Sequence, residues 1–375
     1  MNQGIHLTLM IGPGVPVPVP QVVLDALTSA QVTTTAGQAS GFQLTFTLSN
    51  RSPLHTLFML SAGSPIPLVR VILVVTINGT SEVVMDGVMT NHEVSPATDP
   101  GQSTLTVTGE DLTRVMDYID FSGTPFPAMP PEVRVLLILA KYAALGIIPM
   151  VIPSVLVDAP IPTDRIPTQQ GKDLAYIRQL ADEVGYVFYI EPGPAPGTSV
   201  AYWGPEIKVG LPQSALNINM DAHTNVESVS FRFNSEQKKL PIVFIQEQLS
   251  KSPIPIPIPD ITPLNPALGA VPSIPKEIER ITETAKYSPL RGALVGLAKA
   301  SQSADGVTGQ GTLDVLRYGR VLKARKLVGI RGAGPSFDGL YYVKSVTHNI
   351  KRGEYKQSFT VARNGLLSTL PAVPV

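Results

Sequence analysis

From Gln31 to Asp117 apolar and polar residues alternate in short runs broken by Gly, Pro, Asn and Asp, the pattern of strands rather than helices. Val32 to Thr35, Phe42 to Leu48, Val69 to Ile77, Ser81 to His92 and Ser103 to Thr108 are the β-rich runs. Asn78-Gly79 joins two of them with residues that tolerate positive φ at both central turn positions. An all-β barrel or sandwich is the economical reading. Gly109-Glu110-Asp111 is expected to open a short helix through Met116, its carboxylates placed where a helix N-terminus favours them.

The period then changes. Pro130-Pro131 precedes a helical pattern over Glu132 to Leu145 that stops at Gly146. A second helix is predicted from Lys172 to Val184, with Leu174, Ile177, Leu180, Ala181 and Val184 on one face, then Gly185 and the strand Tyr186 to Ile190. This is a small α+β unit, closed by Pro192 to Pro196 and the turn at Gly204-Pro205. Strands return at Ala215 to Met220 and Val226 to Phe233, and are interrupted where proline occupies alternate positions from Ser252 to Pro259, a pattern that favours extended polyproline chain. Helices are expected near Pro275 to Lys286 and Gly292 to Ser301. Strands resume from Gly311, through Val321 to Ile330, Tyr341 to Ile350 and Tyr355 to Ala362.

The expected fold is therefore mainly β with α+β insertions: two tandem tube-like β-barrels, the second split by an insertion. The boundaries are a first barrel over 1–118, a small α+β domain over 119–212, the first part of the second barrel over 213–250, a proline-rich and helical insertion over 251–302, the rest of that barrel over 303–366 and a tail over 367–375.

The two β-regions resemble each other. Asp86 to Val94 leads to Gly101-Gln102-Ser103 and Thr104 to Thr108, as Tyr342 to Ile350 leads to Gln357-Ser358-Phe359-Thr360-Val361. His92 and His348 stand near the two loops. Period-two sequences match by chance easily, so duplication and coincidence both stand at this point. If the barrel is duplicated, three chains present six barrels in a ring, an adaptor between threefold and sixfold partners.

At 375 residues the chain exceeds the usual single domain, and its 43% hydrophobic content suffices for real cores. Zero formal net charge removes any whole-chain attraction to nucleic acid or an anionic membrane. With no cysteine, disulfides and thiolate chemistry are excluded. The segment Met1 to Pro20 lacks signal-peptide features. The apolar stretches Val69 to Ile77 and Val133 to Ile148 are too short, or carry Arg134 and Lys141, for a membrane span.

Candidate chemistry reduces to very little. Gly309-Gln310-Gly311 and Gly329 to Gly334 lack the ending of a phosphate loop and read as hairpin turns. His6, His55, His92, His223 and His348 form no ligand pair. Glu110-Asp111 and Asp182-Glu183 read as solvated charge rather than a catalytic carboxylate pair. No Gly-x-Ser-x-Gly elbow occurs. No residue is assigned a catalytic, cofactor-binding or metal-binding role. Charge is uneven, however. Acidic residues dominate before Pro130 and basic ones after Ser303, a pattern that fits contact between neighbouring subunits, a basic half facing an acidic partner, or simply solvated strand faces.

Tyr318-Gly319-Arg320, Ala324 to Gly329, Asp338 to His348 and Gly353 to Thr360 resemble the late-control D proteins of contractile phages and their relatives in extracellular injection systems. So do Asp173 to Ala181 with Gly185 to Tyr189, and Val107 to Leu112. The resemblance spans most of the chain and implies two tube-like barrels trimerised into a pseudo-hexameric ring, related to the hub part of VgrG. It implies a non-enzymatic baseplate hub that joins a hexameric tail tube to a trimeric spike. The chain stops soon after Arg363-Asn364-Gly365, so the spike is expected to be a separate polypeptide. The implied partners are two further copies, the tube protein, the spike and other baseplate proteins, with no nucleic acid and no membrane insertion. Synthesis is expected in the cytoplasm, followed by assembly into the baseplate of a tail-like particle. The competing readings are a soluble carbohydrate- or cell-wall-binding β-module displaying Tyr202 and Trp203, and a tail-associated peptidoglycan hydrolase.

Overall fold

The computed structural model describes residues 4–49, 52–54, 68–97, 103–154, 166–234, 236, 238–246, 253–281 and 289–370. The first β unit comprises β1 (Ile5–Pro13), β2 (Val17–Pro18), helix α1 (Gln21–Ala26), β3 (Leu27–Thr35), β4 (Gly41–Thr47), β5 (Val69–Ile77), β6 (Thr80–Ser95) and β7 (Thr104–Asp111). The β5–β6 turn is the Asn78-Gly79 hairpin read from sequence, with φ of 51° and 82°. Gly109 to Asp111 end β7 rather than opening a helix. The 3-10 turn that follows, Leu112–Asp117, is capped by Asp111, which accepts from the Thr113 amide.

The middle unit packs α2 (Pro131–Ala140) and α3 (Asp173–Asp182) on a small sheet of β8 (Ile147–Val151), β9 (Val187–Pro192) and β10 (Ser199–Gly204). It packs against β6 through Val88, beside β5, a strand that is apolar along nearly its whole length instead of alternating. The contact is fixed by a buried pair: Arg70 donates twice to Asp86 at 2.7 Å and once to the Gly197 carbonyl, while Ser199 also donates to Asp86.

The second β unit begins with β11 (Gln213–Asn217) and β12 (Val226–Phe233). An insertion follows, holding β13 (Lys239–Gln246), β14 (Pro253–Pro257), β15 (Gly269–Pro272), β16 (Glu277–Ile281) and α4 (Pro289–Ser303). The unit resumes with β17 (Val307–Asp314), α5 (Val315–Tyr318), β18 (Leu327–Arg331), β19 (Gly339–Lys351), β20 (Glu354–Arg363) and β21 (Gly365–Ser368).

Further local expectations fail, most of them because a neighbouring strand overrides local composition. The prolines of β14 do not make free polyproline chain. The hydrogen-bonding phase set by the Ile258 amide on the Pro241 carbonyl turns the Ile254 and Ile256 amides toward β13 and every β14 proline outward. Glu277 to Ile281 is a strand parallel to β13, not a helix, and 282–286 lie outside the described residues. Residues 321–326 are not strand. Gly309 and Gly311 sit inside β17 rather than in a hairpin turn; the turn expected at Gly332 and Gly334 does form.

The architecture is mainly β with α+β insertions, and the insertion splits the second unit. The two β units are not separate bodies. Thirteen strands form one sheet, ordered β12-β17-β20-β19-β3-β4-β7-β6-β5-β1-β2 with β18 and β11 branching from β19, and one apolar core draws on both units. Neither unit closes on itself among the described pairings.

Candidate assembly interface

Duplication is decided by strand order. In the first unit the chain visits β1, β3, β4, β5, β6 and β7, which pair β3-β4-β7-β6-β5-β1. In the second, β11, β12, β17, β18, β19 and β20 pair β12-β17-β20-β19-β18-β11. The two orders are the same. They differ at one end, where β1 runs antiparallel to β5 but β11 runs parallel to β18.

Register irregularities recur as well. β6 slips one residue against β7 between Met89 and Asn91, and β19 slips against β20 between Val343 and Ser345. β3 slips against β4 between Leu27 and Ser29, and β12 against β17 between Val226 and Ser228. Bulges mark fixed points in a ladder. They equate Met89 with Val343 and Leu27 with Val226. His92 therefore corresponds to Val346, and His348 to Val94, two residues from the match read off the hairpins. Gln43-Leu44-Thr45-Phe46 falls on Gln310-Gly311-Thr312-Leu313. That short match was the signal in the sequence that would have set the register.

The units meet along β3 and β19, antiparallel, with Ser345 opposite Thr35 and Lys351 opposite Ser29. On one face of this joint Ala30, Val32, Val346, His348 and Ile350 are buried in the common core. On the other, Thr33 and Thr347 share a hydroxyl hydrogen bond of 3.1 Å and Gln31 donates to Asn349 at 3.1 Å. Arg325 locks the top of the joint. It donates to the Thr35 carbonyl and to Glu191, and its guanidinium lies 4.1 Å from the ring centroid of Tyr189.

The same outer face continues across the sheet. One row of facing residues reads Thr33, Thr347, Ser358, Thr312, Ser228, and another Thr108, Gln43, Gln31, Asn349, Lys356. It is a wall of hydroxyls and amides, half-buried to exposed, alternating along each strand with core residues. Lys356 is matched by Glu227 and Glu354 at 3.0 and 3.1 Å.

The candidate chemical groups are spread out or structural. Asp111 is buried, not solvated, and accepts from Ser40 and Thr113; burial pushes its carboxyl above the usual range, against the pull of those hydrogen bonds. Glu183 pairs with Arg291 of the insertion. His348 is buried against the Tyr355 hydroxyl at 2.7 Å, and burial alone lowers its pKa to about 3. His92 is exposed, and His55 and Gln102 lie outside the described residues. Among the described residues no three His, Asp or Glu side chains group to hold a metal, and no helix is long and apolar enough to cross a membrane. Trp203 is fully buried with its ring edge-on to Tyr186, and Tyr202 is buried too, so neither is displayed. Part of the charge asymmetry is resolved inside one chain, where Lys323 pairs with Glu82 at 2.6 Å and Arg352 with Asp25 at 3.6 Å.

No protein-family model matches the chain, and no curated protein matches it in sequence. Solved structures do match. A tail protein from Neisseria meningitidis superposes with a TM-score of 0.61 at 13% identity, over 97% of this chain and 98% of its own. The 43 kDa tail protein of prophage MuSo2 from Shewanella oneidensis gives 0.60 at 16% identity, over 96% and 99%. An E. coli protein described as a type VI secretion component similar in structure to phage T4 tail proteins gp27 and gp5 gives 0.52 at 10% identity, over 93% and 78%. The chain has the fold of these tail proteins.

Proposed function

We propose that this chain is a non-enzymatic baseplate hub, three copies of which join a sixfold tail tube to a threefold spike. The observation that carries the reading is the internal repeat: one chain holds two β units of the same strand order, sharing two bulges at equivalent places, in a single sheet. Three such chains offer six near-equivalent surfaces to a tube and three whole-chain surfaces to a spike. The full-length likeness to tail proteins supports it. The hydroxyl and amide face suits the wall of a bore.

A glycan-binding module is not favoured, because the aromatics it would display are buried. The test is native mass spectrometry of the purified chain at micromolar concentration, with electron microscopy of the particle that contains it. Three chains per ring are expected. A single chain in both settings overturns the reading.

A further inference from the structure

The joint between β3 and β19 has a counterpart that the chain leaves open. By the bulge equivalence, β19 corresponds to β6 and β3 to β12. β5 covers β6 only as far as Val88. From there to Ser95 the side of β6 away from β7 carries no strand among the described residues, and residues 90–95 are exposed where their counterparts on β19 alternate with the core. β12 ends the sheet, its outer side equally bare among the described residues. The two edges do not meet within the chain, so what fits them is a second copy.

The in-chain register can be carried across. Thr33 opposite Thr347 becomes Arg232 opposite Glu93. Val32 opposite His348 becomes Phe231 opposite Val94, Thr34 opposite Val346 becomes Phe233 opposite His92, and Gln31 opposite Asn349 becomes Ser230 opposite Ser95. We propose that β12 of one copy adds to β6 of the next in this register, so that the sheet runs on from chain to chain through an Arg232–Glu93 pair. The chemistry of the two edges agrees on both faces. Glu93 and Arg232 are exposed and of opposite charge, on the hydroxyl face. Val94 and Phe233, 45% and 40% exposed in the single chain, fall on the core face, where the partner strand covers them. The contact is head-to-tail and repeats the relation between the two units of one chain, as closure into a ring requires. The closed count of three rests on the hub reading; the strand pairing does not.

Because the chain has no cysteine, Glu93→Cys and Arg232→Cys each introduce a lone thiol. The two single variants, checked by circular dichroism for native strand content, are mixed and mildly oxidised. Disulfides between unlike chains and none between like chains are expected, and the double variant should give a covalent closed oligomer. In parallel, Glu93→Arg or Arg232→Glu alone should weaken self-association about tenfold or more, and the two together should restore it. A native trimer with no unlike-chain disulfide and no charge rescue overturns the pairing while the hub reading stands. A protein that remains a single chain, alone and in the particle, overturns both.

Discussion

In the first β unit bulk sits on β4: Phe42 occupies the space a side chain on Gly109 of β7 would need. In the second unit the strand equivalent to β4 is β17, and the residues in place of Phe42 and Leu44 are Gly309 and Gly311. Here the neighbours supply the bulk. Phe231 of β12 and Val361 of β20 lie over Gly309, and Phe359 of β20 lies over Gly311. One backbone plan is thus filled by two inverse arrangements of large and small side chains, which is what close packing permits when total volume is kept. Topology and bulges persist through such an exchange, while residue-by-residue likeness does not.

The comparison breaks most completely at Phe359. This side chain is 3% exposed and fills the space left by Gly311, so Phe359→Asp buries a carboxylate with no partner. The expected loss is about 4 kcal/mol or more in denaturant unfolding, with no assembled particle recovered.

A smaller effect sharpens it through pH. His348 stands where the first unit has Val94, and burial holds it neutral, its pKa lowered to about 3. The unfolded chain takes up that proton near pH 6.5, so it binds more protons than the fold in between. Stability is full above that value and falls as pH drops toward about 3, by roughly 2 kcal/mol at pH 5. His348→Val should flatten this part of the pH dependence of unfolding.

The smallest change tests the exchange of bulk itself. Gly309→Ala places a methyl 2.8 Å from the Phe231 ring and 2.9 Å from Val361, and should cost about 1 kcal/mol. Phe231→Leu should relieve it, read as coupling in a double-mutant cycle of unfolding free energies. Additive changes would show that the ring does not fill the glycine's place.

Much of this was legible in the sequence, and the failures have physical causes. β5, β12, α3 and the Asn78-Gly79 turn were read correctly, because their signals are local: continuous apolar runs, β-branched alternation, an amphipathic stripe and a turn dipeptide. The duplication was found through its hairpins, but two residues out of register, since side-chain alternation is blind to even shifts. Glu277 to Ile281 and the glycines of β17 were misread because their partners, β13 and Phe231, are remote in sequence. The joint itself was invisible, since which strand lies beside β3 is a fact of tertiary structure.

The prolines of β14 carry a consequence for how such a chain survives its own synthesis. With its amide hydrogens all spent on β13, the rim of β14 offers carbonyl oxygens to a newcomer and nothing that can donate. Among the described residues β14 is one of several strands at a sheet border, and a border that cannot donate is a poor template for an unfinished sibling on a crowded ribosome. The alternating imino acids make that rim a one-sided fastener: hooks without loops.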